Sequence, residues 1–245
     1  MEILYGIHPV AECIRAGRRG VRRLMVADEG RMKELESVIG KAVPAKAERC
    51  GKDACFRRSG NPQHQGVVAE VEPYPYVDWR ELLKPNDNEA PFLLALDGLT
   101  DTHNVGAILR SALCAGVTGI TLRNHHAALV TATVAKASAG ACEHLRIALV
   151  SNQTMFLKAA GKEGFLRAGL DMNGDSIWRT DIAWNDPLVI VIGEEGKGVS
   201  RLVSQACDAT WSIPMKGGLD SLNASVAAAV TLFEVARNRE RLKRA

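Results

Sequence analysis

A chain of 245 residues with 47% hydrophobic and 24% charged side chains carries enough apolar material for one large domain or two smaller ones, which excludes a disordered or fibrous protein. Its formal charge of +3 is too mild to argue for a nucleic-acid partner by itself. The start, MEILYGIHPVAE, lacks a basic flank leading into a long apolar run, and no stretch approaches a membrane span, so a reducing cytoplasm is the expected compartment.

Taken in chain order, GIHPVAECIRAG predicts a short amphipathic helix with Pro9 near its start. VRRLMVA predicts a strand, RMKELESVIGKA a helix, and GVVAEV a strand ending at Pro73. The proline-rich, polar stretch PYPYVDWRELLKPNDNEAP follows, with a short helix expected inside it at residues 79–83. This composition marks a boundary, giving a first domain over residues 1–73, a linker over 74–90 and a second domain over 91–245. Beyond Pro91 strands and helices alternate: FLLALDGL, NVGAILRSALCAG, GITLRN, TATVAKASAGA, LRIALV, NQTMFLKAAGKEG, FLRAGLDM and LVIVIG. Continuous apolar strands separated by helical patterns predict an α/β fold with a parallel sheet covered on both faces. The last element, SVAAAVTLFEVARNRERLKR, is a long helix that is apolar first and basic at its end.

Between Cys13 and Ala27 stand five arginines (Arg15, Arg18, Arg19, Arg22, Arg23) and no acid. The tail RNRERLKR is a second basic cluster. Composition leaves two readings open, contacts to backbone phosphates or a solvated face. The six cysteines include no C-x-x-C pair and no histidine at zinc spacing, so no metal is expected, and Cys114 and Cys142 read as reduced core thiols.

The stretch IGEEGKGVS follows the apolar run LVIVI as a phosphate loop would. A P-loop, however, needs lysine after its second glycine, where this chain has Val199. The dinucleotide spacing G-x-G-x-x-G is reversed across Gly193, Gly196 and Gly198, and Glu194 and Glu195 would repel a polyphosphate. An uncharged or cationic ligand suits this loop better, and a nucleotide-hydrolysing enzyme is set aside.

Ligands of open α/β sheets collect at the carboxyl ends of strands. Three segments fall at such places: DGLTDTHNVGAILR, GEEGKGVS and IPMKGGLDSLNAS. Singly, Asn104 reads as a helix cap, Arg110 as a surface arginine, Glu195 as a solvated acid, and Ser221 or Asn223 as an N-cap. Together, and in this order, the segments resemble the three motifs of the SpoU or TrmH-like RNA ribose 2′-O-methyltransferases of the SPOUT class. The first motif is matched by Asp101, Asn104, Gly106, Arg110, Ser111 and Ala112. The second is matched by Gly193, Glu195 and Gly198, and the third by Ile213, Pro214, Met215, Gly217, Ser221, Leu222, Asn223 and Ser225. YGIHPV, HQGVVAEV and VAKASAGACEHLRI extend the resemblance over nearly the whole chain. Thr102 departs from the family's proline, and Gly218, Leu219 and Asp220 depart from its small or polar residues.

The resemblance implies a small L30e-like RNA-binding domain followed by a catalytic domain with a trefoil knot, a feature general topology rules would not predict. It implies S-adenosylmethionine as methyl donor, held by Gly193, Ile213, Met215 and Leu222. It also implies a catalytic set of Arg110, Asn104, Glu195, Asn223 and Ser221. Arg110 would act as a positioning and electrostatic cation beside the acceptor ribose rather than as a base, because free arginine stays protonated. His103, which the motif does not fix, is a weaker candidate for the base. A homodimer is implied, with Arg15, Arg18, Arg19, Arg22 and Arg23 on RNA phosphates. A guanosine of 23S ribosomal RNA is the implied target. Transfer RNA and a catalytically inactive RNA-binding or assembly factor are the alternatives.

Overall fold

The computed structural model describes residues 1–40, 43, 47–84, 90–180, 182–217 and 221–244. The elements begin with β1 (Glu2–Tyr5), α1 (Ile7–Ala16), β2 (Val21–Val26), α2 (Glu29–Ile39), β3 (Ala47–Arg49), α3 (Gly51–Ser59) and β4 (Val67–Val71). Next come α4 (Trp79–Leu82), β5 (Phe92–Asp97), α5 (Thr102–Cys114), β6 (Gly119–Arg123), α6 (Ala132–Ala137) and β7 (Ile147–Val150). The chain ends with α7 (Gln153–Lys162), β8 (Leu166–Ser176), β9 (Leu188–Gly193), α8 (Arg201–Ser204), β10 (Ala209–Ser212) and α9 (Ala224–Arg244). Among the described residues no helix is long and apolar enough to cross a membrane. The chain divides into two units, Met1–Pro75 with Val130–His144, and Tyr76–Leu129 with Leu145–Ala245.

The first unit is built on a mixed four-stranded sheet in the order β1-β4-β2-β3. β4 runs antiparallel to β1 and β2, and β3 parallel to β2. Leu4, Val10, Leu24, Val26, Leu35, Val67 and Val68 close its core. Pro9 falls in the first turn of α1, where its missing N–H costs nothing, and Gly17 ends that helix in the left-handed conformation. Asp28 caps α2 by accepting from the Arg31 amide at 2.9 Å. Sequence patterns gave no β1, β3 or α3. The first two are too short to show a period, and α3 buries only Cys55.

The sequence expectation assigned residues 130–144 to the second domain, whereas they cluster with the first unit. The cause is a set of specific bonds. α6 packs on β1, Arg19 Nε donates to Glu143 Oε2 at 3.0 Å, and Tyr74 Oη donates to the Cys142 carbonyl at 2.7 Å.

The second unit carries a six-stranded parallel sheet in the order β10-β8-β9-β5-β6-β7. Every residue of β5 and β9 is buried. Leu93, Ala95, Val189 and Val191 meet Phe156, Leu157 and Ala160 of α7 on one face. Their alternating neighbours Leu94, Leu96, Ile190 and Ile192 are equally buried, so both faces are covered, as the unbroken apolar runs require. Much of the stretch expected to be a linker is anchored here. Val77 N donates to the Ile147 carbonyl at 2.9 Å, and Trp79 sets its edge on Phe156 with ring centroids 6.0 Å apart. Residues 85–89 of that stretch lie outside the described residues. One thiol expectation fails: Cys142 is buried, but Cys114 is exposed at the end of α5. It shares the outward stripe of His103, Ala107 and Arg110, spaced i, i+4, i+7 and i+11.

Candidate functional site

The second unit contains a cavity of about 540 Å³ at the carboxyl ends of β9 and β10 and beside the middle of β8. Its walls come from Leu170–Asn173 of β8, the loop after β9, and the segment joining β10 to α9. Gly193, Ile213, Met215 and Leu222 all line it, as do Glu195 and Ser221. Among the described residues no group of three His, Cys, Asp or Glu is gathered as for a metal ion.

The loop after β9 is tight because it hydrogen-bonds to itself. Glu194 N donates to Gly198 O at 3.1 Å, and Gly198 N donates to Glu194 O at 2.8 Å. Those two amides are therefore spent within the loop and cannot cradle a phosphate, consistent with the failed P-loop spelling. Gly198 has φ +68°, a left-handed conformation that favours glycine. Gly193 is required for another reason: a Cβ there would lie 2.0 Å from the carbonyl carbon of Gly198. Lys197 Nζ pairs with Glu194 at 3.0 Å and offsets one of the two acids.

The other acid joins the three segments. Asn104 Nδ2 donates to Glu195 Oε2 at 3.1 Å. Asn223 Nδ2 donates to Asn104 Oδ1 at 3.0 Å and to the same Glu195 Oε2 at 3.3 Å. Asn104 is therefore not the cap of α5. That position belongs to Asp101, which accepts from the His103 amide at 2.8 Å. Asn223 does both jobs, since its Oδ1 accepts from Ser225 N at 2.9 Å at the start of α9. Glu195 Oε1 has no partner among the described residues and stands as an open acceptor beside the cavity.

Arg110 does not join this cluster. It is exposed on α5, does not line the cavity, and makes no hydrogen bond or ion pair among the described residues. It lies six residues beyond Asn104, about 9 Å along the helix. His103 is also exposed and shares the outward face of Arg110. Thr102 is the first residue of α5, so its departure from proline falls at a position where either residue fits. Gly218, Leu219 and Asp220 lie outside the described residues.

Two residues that the sequence reading passed over support this arrangement. Asp97, buried at the end of β5, accepts from Ser200 N at 2.9 Å and so ties down the far end of the β9 loop. Asp171 lines the cavity, and its Oδ1 accepts from Asn173 N at 2.9 Å. The signal for Asp97 was available, as the single acid closing the apolar run FLLALD; that for Asp171 was not, because its part depends on where β8 runs.

The arginines expected on RNA are placed in the first unit, mostly against acids distant in sequence. Arg19 is 5% exposed, its guanidinium held by Glu143 and Glu2, so it is not available to a phosphate. Burial beside Glu143 also drives the Cys13 thiol up to about 12. Arg15 pairs with Glu12 at 2.7 Å, Arg22 with Glu72, and Arg23 with Glu48 at 2.7 Å. Arg18 lies over the Tyr74 ring, 5.8 Å from its centroid, and donates to the Glu143 and Pro75 carbonyls. The absence of acid within this run was misleading because, Glu12 of α1 apart, the acids arrive from other elements.

Comparisons with known proteins agree with this architecture. The SpoU rRNA methylase family model matches residues 91–233, and the model for RNA 2′-O ribose methyltransferase substrate binding matches residues 3–77. A protein of Mycolicibacterium paratuberculosis named as an uncharacterized tRNA/rRNA methyltransferase is 38% identical over 97% of this chain and 78% of its own length. A TrmH family tRNA/rRNA methyltransferase of Staphylococcus epidermidis is 36% identical, covering 98% of this chain and 97% of the relative. Among solved structures, the SpoU methyltransferase AviRb of Streptomyces viridochromogenes, in complex with AdoMet, superposes with a TM-score of 0.80 at 25% identity, over 97% of this chain and 90% of that one. The chain therefore belongs to the SpoU/TrmH family of RNA methyltransferases.

Proposed function

We propose that this protein transfers a methyl group from S-adenosylmethionine to a ribose 2′-hydroxyl of RNA, with a guanosine of 23S ribosomal RNA as the first candidate target. The observation that carries the reading is the hydrogen-bonded junction of Asn104, Glu195 and Asn223 at the edge of the cavity. A site assembled from three remote segments around one carboxylate fits positioning chemistry, and helix capping accounts for Asn223 Oδ1 but not for the bonds that Asn104 and Asn223 make to Glu195. The substrate-binding family model over residues 3–77 supports RNA as the acceptor.

The cavity fits the donor on its own chemistry. Its volume is in the range of small-molecule sites, and its walls combine apolar side chains with backbone exposed by glycine. Gly193, Ile213, Met215 and Leu222 would hold the adenosine part, with backbone groups doing the recognition. Carboxylates at Glu194, Glu195 and Asp171 suit a cationic ligand, whereas a polyphosphate would be repelled. When bound, S-adenosylmethionine supplies an electrophilic methyl group on a sulfonium. The chain's part is to hold the acceptor oxygen in line. The two asparagine amides fix Glu195, whose open oxygen accepts from a hydroxyl of the ribose. Ser221, on the cavity wall, adds a further hydroxyl near the reacting groups. Arg110 brings a guanidinium cation and lowers the cost of charge developing on the 2′-oxygen.

The separation of Arg110 from its own cavity is best met by a homodimer in which each site takes Arg110 from the partner. The long helix α9 offers surface for it, because Val226 and Phe233 are 47% and 50% exposed and share a stripe at i and i+7. We further infer that the chain from β9 through β10 is knotted, since β10 follows β9 in the chain yet pairs with β8.

The test is transfer of radiolabelled methyl to unmodified ribosomal and transfer RNA, followed by nucleoside analysis. Labelled 2′-O-methylguanosine in ribosomal RNA, lost in Arg110→Ala, is expected. A labelled base would overturn the ribose assignment, and label confined to transfer RNA the target. Mixing Arg110→Ala with Glu195→Gln should restore activity through mixed dimers that carry one intact site. Failure to restore it would place Arg110 in its own chain's site.

A further inference from the structure

The first unit carries a polar cluster around Gln65 that methyl transfer does not use. Gln65 sits in the left-handed region at φ +56°, unusual for a residue with a side chain, and an observed outlier of this kind points towards function. Its Oε1 accepts from Ile7 N at 3.3 Å and from Lys136 Nζ at 2.5 Å. That carboxamide is the partner of Lys136 among the described residues, so the half-buried ammonium has no carboxylate to balance it. Gly6 lies directly beneath, where a Cβ would come 2.5 Å from Lys136 Nζ.

Beside them His64 is 7% exposed. Its Nδ1 accepts from Gly66 N at 2.8 Å, so the ring proton is on Nε2, and this donor has no partner among the described residues. Burial first, and then the nearby charges of Lys52 and Lys136, push its pKa down, and no carboxylate opposes them. The acids of the neighbourhood are committed elsewhere: Glu12 to Arg15 and His144, and Glu143 to Arg19. Asp53 follows Lys52 in the chain but lies one helical step round α3 and is not paired with it. Two lysines without a carboxylate partner and a ring N–H without an acceptor, among the described residues, are a donor set lacking an anion. Phe56, 47% exposed, stands one turn along α3 from Lys52.

We propose that Lys136, Lys52 and the His64 Nε2–H form a phosphate site that takes a backbone phosphate of the RNA substrate, with the Phe56 ring as a stacking surface for an adjacent base. The proposal rests on the RNA reading above, and it replaces the buried Arg19 as a point of contact in this unit. Phosphate contacts of this kind set register and affinity, while an aromatic face accepts any unstacked base.

Two experiments on the full chain test it. Inorganic phosphate is titrated into histidine-labelled protein, with the His64 ring resonances assigned by their loss in His64→Asn. A saturable shift that disappears in Lys136→Met is expected, and no shift in the wild type overturns the site. Binding of unmodified ribosomal RNA transcript is then measured against potassium chloride. The slope of log K on log salt should fall by about 0.7 in Lys136→Met and by about 1.4 with Lys52→Met added, the value for single-strand phosphates. Phe56→Ala should weaken binding with the slope unchanged. Unchanged slopes in both lysine variants, with donor affinity intact by calorimetry, overturn the proposal. Should phosphate shift His64 while the wild type binds no RNA, the RNA occupant is refuted together with the RNA reading, and the anion site alone survives.

Discussion

Replacing Gly193 by alanine tests the proposed donor loop most directly. The new Cβ would lie 2.0 Å from the carbonyl carbon and oxygen of Gly198 and 2.2 Å from Val199 N. Ordinary contact begins at 3.4 Å, so the loop must retreat by about 1.4 Å, the difference between the two distances. The obstacle is backbone, which cannot rotate away as a side chain could. Retreat strains or breaks the pair of hydrogen bonds between Glu194 and Gly198, each contributing about 0.5–1.5 kcal/mol. Overpacking adds a penalty of about 1–3 kcal/mol, so a total loss of about 2–6 kcal/mol is expected. Urea unfolding reads the stability, and calorimetry with S-adenosylmethionine reads the site. Gly217→Ala is the control, because nothing among the described residues lies within 4 Å of a Cβ at that position. It should stay within about 0.5 kcal/mol of wild type. A Gly193→Ala protein with wild-type stability and donor affinity would refute the close approach on which the loop's role depends.

Other outcomes follow from individual contacts. Glu143→Gln leaves the buried Arg19 with Glu2, at 2.7 Å, as its one carboxylate partner among the described residues, and since removing one partner of a buried pair costs about 3–5 kcal/mol, a loss of about 2–4 kcal/mol is expected in urea; less than 1 kcal/mol (roughly) would show that Glu2 suffices. Asp208 is held below the usual carboxylate range first by the Arg167 side chain and then by the Arg167 amide. Its folded pKa is depressed, so its stabilisation is present above about pH 3.9 and is lost as pH falls through the lower folded value. The stability difference from Asp208→Asn, about 1 kcal/mol or less for a carboxylate 38% exposed, should therefore hold from pH 7 to 5 (about) and shrink below about pH 4; a difference that grows in acid would contradict the sign. Asn104→Ala and Asn223→Ala both release Glu195 Oε2, so their effects on kcat/KM should be less than additive, with a coupling of about 0.5–3 kcal/mol, and strict additivity would mean that the two amides act separately.

The parts of this molecule that were legible in its sequence are those set by local pattern. FLLALD and LVIVIG could be read as doubly covered parallel strands because burial on both faces removes the alternation of polar residues. The glycine loop could be read as unfit for phosphate from its spelling, and its self-bonded amides give the physical reason. What stayed hidden depends on partners far along the chain. Glu143 neutralises Arg19 across 124 residues, so a run of arginines that looked free of acid was not. β10 follows β9 in sequence yet pairs with β8, its register jumping from Thr210 opposite Gly169 to Trp211 opposite Asp175. No periodicity predicts that jump, and so neither the cavity wall at Asp171 nor the extent of β8 could be anticipated.

The same backbone contacts that close the β9 loop also shape the cavity, which constrains how the site can vary. Gly193 is simultaneously the last residue of a buried strand, a point where two backbone segments touch, and a wall of the cavity. Asn223 caps the start of α9 and, through its other end, fixes Glu195. Asp97 closes β5 and tethers Ser200 at the far end of the loop. In each case one residue serves the fold and the site at once, so substitutions there should lower stability and activity together. Arg110 is the contrast. It is exposed, bonded to nothing among the described residues, and free of any packing duty, so Arg110→Ala should abolish turnover while leaving stability within about 0.5 kcal/mol of wild type. On the proposed reading, a residue that the fold does not need, within a motif shared with the junction's Asn104, acts on something outside its own chain's core. The acceptor RNA at the cavity of the partner in the proposed dimer is the occupant that its charge and exposure would fit.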